Sequence, residues 1–292
     1  RRLFVVPPNF DMIVFISRGQ LCKETHDGAL HLYPIHGLGI IKVFRALQRG
    51  YRILRDGAQW TVSSQDPFEA GLIGYILART QGAHFNLQEH GDFFSTLHWR
   101  NESFKNRILY PLGTWLLRHA DSVRVVSKRI KRTCIALGVD EKTISILTVY
   151  SDLQRFRDAL SDAPKAQGEI RILSAGRFVP QKNLKLLIEA FSVVHNVAPH
   201  TRLTLVGRGK EEEVIKNLIQ TLSLKDVVTI LPWTDSLPSL MKSADIFSLS
   251  SNYEGWARVL TEALASGLAV VSTDVGCGNE AFIDREHGRV VP

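Results

Sequence analysis

Apolar positions along the chain fall into two alternating patterns. Short runs of contiguous apolar and β-branched residues, the mark of strands buried in a parallel sheet, occur near 3–6, 12–16, 60–63, 84–88 and 122–126. Between them, near 39–49, 69–80, 103–118 and 128–137, apolar residues recur every three to four positions, the period of helices that cover such a sheet. This alternation predicts an α/β fold with a doubly wound parallel sheet, which binds ligands at the carboxyl ends of its strands. Residues 151–168, SDLQRFRDALSDAPKAQG, lose the period and gain polar, Pro and Gly content, so they read as an interdomain connection. A second series then starts with EIRILSAG at 169–176. It continues through a helix from near Asn183, strands TRLTLV and VVTIL, and SADIFSLSS at 243–251. Near its end, Val259, Leu260, Ala263 and Leu264 recur at helical spacing, and LAVVST at 268–273 reads as a buried strand. The expected division is an N-terminal Rossmann-like domain at 1–157, a linker at 158–168 and a C-terminal domain at 169–292.

The 292 residues, 45% of them hydrophobic, suffice for two cores. No apolar run is long enough to cross a bilayer and no signal peptide opens the sequence, so a soluble or peripheral protein is expected, in the cytoplasm or at the cytoplasmic face of a membrane. Cys22, Cys134 and Cys277 are odd in number and far apart, which suggests neither a disulfide framework nor a zinc site. The net charge of +7 and pI near 9.4 imply attraction to something anionic. Both ends of the sequence read as cut, the first inside a strand and the last without a closing helix.

Polar residues that follow strands are the candidates for chemistry. Asp66 follows WTVSS and either caps the helix after it or faces the ligand side of the sheet. Glu89, His90, Gly91 and Asp92 follow HFNLQ, and His90 reads either as a satisfied loop histidine or as a ligand contact. In the first turn of the second series, GRFVPQKN, Arg177 and Lys182 flank the loop after Gly176. Two cations at such a turn suit a diphosphate, although single loop cations are often only solvated. Gly207-Arg208-Gly209 is a G-x-G without the third glycine of a dinucleotide fingerprint, and a structural turn explains it better. Trp233 either lines a base pocket or covers a sheet edge. Glu254 precedes Gly255, Trp256 and Ala257 in a loop, and Arg258 begins the helix that carries Glu262. The unpaired N–H groups at that helix start suit a phosphate, and carboxylates on either side suit sugar hydroxyls. Arg258 and Glu262 also form an i, i+4 pair of a kind common on surfaces.

From Arg118 to Arg132 the chain is strongly basic, with Trp99, Phe104, Trp115, Leu116 and Leu117 upstream. A solvated helix face is one reading and an anionic membrane surface the other. No nucleic-acid motif accompanies the charge.

Glu254 and Glu262, with Gly255 and the following EALASG, resemble the E-x7-E signature of the retaining glycosyltransferases of family 4, group 1 glycosyl transferases of the GT-B fold. QDPFEAG, QEHGDFFS and ADSVRVVS resemble that family's first domain in their order, and the turn with Arg177 and Lys182 resembles its second. The resemblance implies two Rossmann-like domains facing across a cleft and retaining transfer of a hexosyl unit from a UDP- or GDP-sugar to a glycan or lipid-linked acceptor, in cell-envelope polysaccharide or glycolipid synthesis. It implies that Arg177 and Lys182 meet the donor diphosphate, Glu254 the hexose, Glu262 the ribose and His90 the sugar. Gly176, Trp233, Gly255, Trp256, Ala257 and Arg258 complete the donor side. Asp92 and Asp66 belong to the acceptor side, Asp92 either meeting the acceptor or orienting His90. Asp274, Gly276 and Gly278 resemble the family's donor-closing loop, and Ala269 departs from the usual proline. The lack of any D-x-D fits phosphate neutralisation without a metal ion or other cofactor. Rival readings are a sugar epimerase or phosphorylase on the same fold, and a catalytically silent or nucleic-acid-binding module.

Overall fold

The computed structural model describes residues 12–16, 24–36, 39–56, 58–161, 168–281 and 284–291. The strand expected near 3–6 and most of the 158–168 linker lie outside these residues. Compactness divides the chain into residues 1–88 with 112–122, and residues 89–111 with 123–292.

In the first unit, β1 (Met12–Ile16) pairs in parallel with β3 (Leu30–Pro34), and β2 (Thr25–Asp27) pairs antiparallel with β3. The β2–β3 hairpin is not expected from the apolar pattern. It turns at Gly28, whose φ of 58° suits glycine. Helix α1 (Gly39–Leu54) follows, then β4 (Thr61–Ser64), α2 (Glu69–Gln81) and β5 (His84–Glu89), with β4 and β5 parallel. Helix α2 lies close on its strands because Gly74 leaves space for Ser64 Oγ, which would be 2.1 Å from a β-carbon there. It stops at Gly82 in the left-handed region, where the Gly82 N–H bonds the Ala78 carbonyl.

Helices α3 (His98–Asn101) and α4 (Phe104–His119) lead to β6 (Ser122–Val125), α5 (Lys128–Ala136) and β7 (Ile144–Ile146), which pairs in parallel with β6. Ser127 caps α5 by accepting from the Ile130 N–H at 3.2 Å. Trp99, Leu116 and Leu117 are buried, which removes three of the residues read as an interfacial cluster. The basic run is also largely engaged: Arg124 donates to the Leu147 carbonyl, and Lys131 pairs with Glu141 at 2.8 Å. Sequence periodicity missed this because charge along a chain does not reveal which partners the fold supplies.

The second series begins with α6 (Leu153–Arg157), inside the stretch read as connection. Its Phe156 is buried in the core beside Leu173, Phe247 and Leu260. One buried aromatic per helical turn is too short a signal for periodicity to register. Then come β8 (Ile170–Ala175), α7 (Leu184–Val197), β9 (Thr201–Val206), α8 (Glu212–Thr221), β10 (Val228–Leu231) and α9 (Leu237–Lys242). They are followed by β11 (Ile246–Leu249), α10 (Arg258–Ala265), β12 (Ala269–Thr273), α11 (Gly278–Ala281) and β13 (Gly288–Val291). All pairs in this sheet are parallel, in the order β10-β9-β8-β11-β12-β13. Numbered from β8, this is 3-2-1-4-5-6, the doubly wound order whose switch point lies between β8 and β11. Its two faces bury separate cores, one around Phe178, Ile188, Phe191 and Ile215, the other around Phe247, Leu260, Ala263 and Val270.

Candidate active site

The switch point brings together the loop after β8, residues 176–183, and the loop after β11, residues 250–257. Their backbones are stitched along their length. Asn252 N–H donates to the Gln181 carbonyl at 2.8 Å, Gln181 Nε2 to the Tyr253 carbonyl at 2.9 Å, and Ser250 Oγ to the Lys182 and Asn183 carbonyls. Asn183 Nδ2 donates to Asn252 Oδ1 at 3.1 Å, and Asn183 itself takes a φ of 45°, a left-handed conformation that Asn tolerates. Phe178 is buried beneath and anchors the first loop.

At the centre of the stitched loops Lys182 Nζ bonds Glu254 Oε1, which also accepts from Ser251 Oγ at 2.7 Å. The pair is largely withdrawn from water, with 14% of the Lys182 side chain and 10% of the Glu254 side chain exposed. Lys182 lies across Gly176, where a β-carbon would come 3.2 Å from its Cε. Arg177 stands exposed at the same strand end. Two residues missed by sequence reasoning, Ser251 and Gln181, hold these groups in place. A hydroxyl three residues before an acid in a loop was the available signal.

Beyond Glu254 the chain makes a tight entry into α10. Gly255 is obligatory, because a β-carbon there would lie 1.6 Å from the His90 carbonyl oxygen. Ala257 takes a φ of 60° as N-cap, so α10 starts at Arg258 without a side-chain cap, and the N–H groups of Arg258 and Val259 precede the first bond of the helix, from the Leu260 N–H to the Ala257 carbonyl at 2.9 Å. The Trp256 carbonyl accepts from the Cys277 N–H at 3.0 Å, and Gly276, at φ 56°, lets the 274–278 loop pack on it. Glu262 is buried rather than on an open face, with its Oε1 near Arg258 at 3.3 Å and Ser151 Oγ at 3.5 Å. The surface-pair reading holds for Arg258, which is exposed, but not for Glu262.

His90 is half-buried, and burial followed by the nearby charge of Arg124 holds its pKa below the ordinary value. A neutral imidazole is favoured, able to donate from one nitrogen and accept at the other. Asp92 points inward: it is 2% exposed, accepts from Ser95 Oγ, and pairs with Arg129 Nε at 3.3 Å. Burial raises its pKa against the opposing pull of Ser95 and Arg129. Its partners are thus Ser95 and Arg129, which tie the turn after β5 to α5.

Arg129, read only as part of a basic run, also pairs with Asp274 at 3.0 Å, while its N–H donates to Glu280 Oε1. Glu280 lies in the first turn of α11, where a negative charge is favourable, and its carboxylate also accepts from a first-turn backbone N–H of α5. Trp233 follows β10 and is 59% exposed, so it does not seal a sheet edge. Gly207 and Gly209 are structural, since β-carbons there would lie 1.8 Å from the Gly176 carbonyl oxygen and 2.1 Å from that of Phe178. In the first unit, Asp66 Oδ1 accepts from the Phe68 N–H at 2.9 Å, the turn role ahead of α2. No cluster of metal-ligating side chains occurs among the described residues.

Solved structures share this architecture. The chain superposes on sucrose-phosphate synthase from Thermosynechococcus elongatus with a TM-score of 0.78 at 18% identity, over 96% of this chain and 75% of that one. It superposes on Anabaena HepE in complex with UDP-glucose at 0.70 and 18%, over 90% and 71%. The fold is GT-B. Residues 156–292, which carry the switch-point loops described above, match the sequence model of the family "Glycosyl transferases group 1". Among curated proteins the chain is 26% identical over 268 residues to an Escherichia coli UDP-Gal:alpha-D-GlcNAc-diphosphoundecaprenol alpha-1,3-galactosyltransferase, covering 85% of this chain and 66% of that one. It is 35% identical over 156 residues to a Campylobacter jejuni N-acetylgalactosamine-N,N'-diacetylbacillosaminyl-diphospho-undecaprenol 4-alpha-N-acetylgalactosaminyltransferase, covering 53% and 41%. The chain thus spans less than two thirds of either curated relative.

Proposed function

We propose that the protein is a glycosyltransferase that moves a hexosyl unit from a nucleoside diphosphate sugar, retaining anomeric configuration and needing no metal ion, to a glycan or lipid-linked acceptor. The observation that carries this reading is the stitched switch-point loop pair, which sets Lys182 on Glu254 with Arg177 beside them. One group of cations there suits a leaving diphosphate, and a fixed carboxylate beside it suits sugar hydroxyls. Arg177, Lys182 and the open N–H groups at the start of α10 stabilise charge on the diphosphate as the glycosyl bond breaks. Glu254, already bound by Ser251, orients the hexose, and Glu262 takes the ribose. Neutral His90 contacts the sugar, and exposed Trp233 offers a face to the base. UDP is the favoured nucleotide because UDP or UDP-sugars are named for several relatives and for solved structures of the same fold. The undecaprenol-linked acceptors of two relatives support a lipid-linked acceptor in cell-envelope synthesis, which would place the protein in the cytoplasm at the membrane face.

Calorimetric titration with UDP, GDP and ADP, then with the matching sugar nucleotides, with and without EDTA, tests this reading. It expects binding of one diphosphate that EDTA leaves unchanged and that the Arg177→Ala/Lys182→Ala variant loses. Affinity unchanged in that variant, or dependent on metal, would overturn the assignment.

A further inference from the structure

The first unit contains a cavity to which the proposed transfer assigns no residue. It has a volume of ≈ 390 Å³, lies between the end of β3 and one face of α1, and is lined by Tyr33, His36, Arg45, Gln48, Arg49 and Arg52 among others. We propose that this cavity binds a phosphate-bearing group.

The argument starts from the helix. Arg45, Arg49 and Arg52 recur at i, i+4 and i+7, so they rise along one face of α1, and the helix carries Lys42 but no acidic residue. The lining residues include three guanidinium groups and no carboxylate. Two of the three are held in place. The Arg45 Nη1 donates to the His36 carbonyl at 2.9 Å, and the Arg49 guanidinium lies 4.2 Å over the Tyr33 ring. Arg49 also pairs with Glu24, which neutralises one of the charges. Arg45 and Arg52 make no ion pair among the described residues, so two of the charges lining the cavity are uncompensated. Guanidinium forks fit phosphate oxygens in pairs, and the volume lies in the range of small-ligand pockets.

The surface beside the cavity bears on where the phosphate comes from. Ile40 and Phe44, one turn apart on α1, are 84% and 65% exposed. Exposed apolar side chains next to arginines on one helix suit a phosphate carried at the surface of a lipid bilayer, where the apolar groups enter the headgroup boundary. The same cavity chemistry would serve a soluble phosphate ester.

Inorganic pyrophosphate is the probe, titrated calorimetrically into the full chain and into three variants. Arg45→Gln/Arg52→Gln removes the two uncompensated charges at exposed positions. Gln48→Glu places a carboxylate between them and leaves every arginine in place. Arg177→Ala/Lys182→Ala removes the second unit's cations, so that pyrophosphate bound there is not mistaken for this site. The expected result is a binding event that persists in Arg177→Ala/Lys182→Ala and weakens by about tenfold or more in each of the other two. Thermal melts confirm that all variants are folded. Pyrophosphate binding that Arg45→Gln/Arg52→Gln and Gln48→Glu leave unchanged, or that only Arg177→Ala/Lys182→Ala removes, overturns the proposal. A second arm uses sedimentation with phosphatidylcholine vesicles with and without phosphatidylglycerol. Co-sedimentation that needs phosphatidylglycerol, and is lost in both Arg45→Gln/Arg52→Gln and Phe44→Asp, assigns the phosphate to a lipid. Pyrophosphate binding without vesicle binding assigns it to a soluble ester.

Discussion

Replacing Lys182 with methionine removes one charge and keeps most of the apolar stem, so it isolates what the Lys182–Glu254 pair contributes. Exposed ion pairs are worth about 0–1 kcal/mol, whereas breaking a fully buried pair costs about 3–5 kcal/mol because the surviving charge stays desolvated. With 14% and 10% of the two side chains exposed, this pair lies toward the buried limit. Ser251 Oγ remains as a donor to Glu254 and softens the loss. A cost of about 2 kcal/mol follows, equivalent to a drop of roughly 4–8 °C in melting temperature for a compact unit of this size. Glu254→Gln leaves a neutral acceptor beside the lysine and should cost a similar amount. The Lys182→Met/Glu254→Gln double variant, which buries no orphaned charge, should cost less than the sum of the two by about 1 kcal/mol or more. Urea unfolding followed by fluorescence gives the four stabilities, and hydrogen exchange at the amides of 250–258 shows whether the loss is local to the stitched loops. Lys182→Met within about 0.5 kcal/mol of the parent, or strict additivity in the cycle, would refute the reasoning, because it would mean the pair is as solvated as a surface contact.

Two other outcomes are expected. Gly255→Ala forces a β-carbon toward the His90 carbonyl oxygen, an approach of 1.6 Å that backbone must relieve, so it should cost about 3 kcal/mol or more and disrupt the entry into α10; a melting temperature equal to the parent's would contradict this. His90 has a folded-state pKa below its ordinary 6.5, so its contribution to stability is complete above pH 6.5 and is lost as pH falls through the lowered value. Urea midpoints at neutral and mildly acidic pH should therefore show the parent losing more stability on acidification than His90→Gln, and equal losses would show that burial does not hold the imidazole neutral.

The alternation of apolar runs and helical periods determined the element order, because strands buried on both faces read as short contiguous apolar runs and helices as a period of about 3.6. Helices α1, α2, α4 and α5 and strands β4 to β6 lie within a few residues of where that pattern puts them. That Arg177, Lys182 and Glu254 stand in loops after strands, and Glu262 on the helix that follows, was legible too, since position relative to an apolar run is a property of sequence. What the sequence could not hold was partnership. That Glu254 is bound by Lys182 and Ser251, that Glu262 is buried, and that Arg129 joins Asp92 to Asp274 depend on segments more than a hundred residues apart in some cases, brought together only by sheet order. The basic run at 124–132 shows the same limit, because Arg124, Lys131 and Arg129 find the Leu147 carbonyl, Glu141 and Asp274 as partners that only the fold supplies. The arginine face of α1 shows the reverse. Its helical spacing was present in the sequence, but only packing against β3 turned that row of charges into the wall of a cavity.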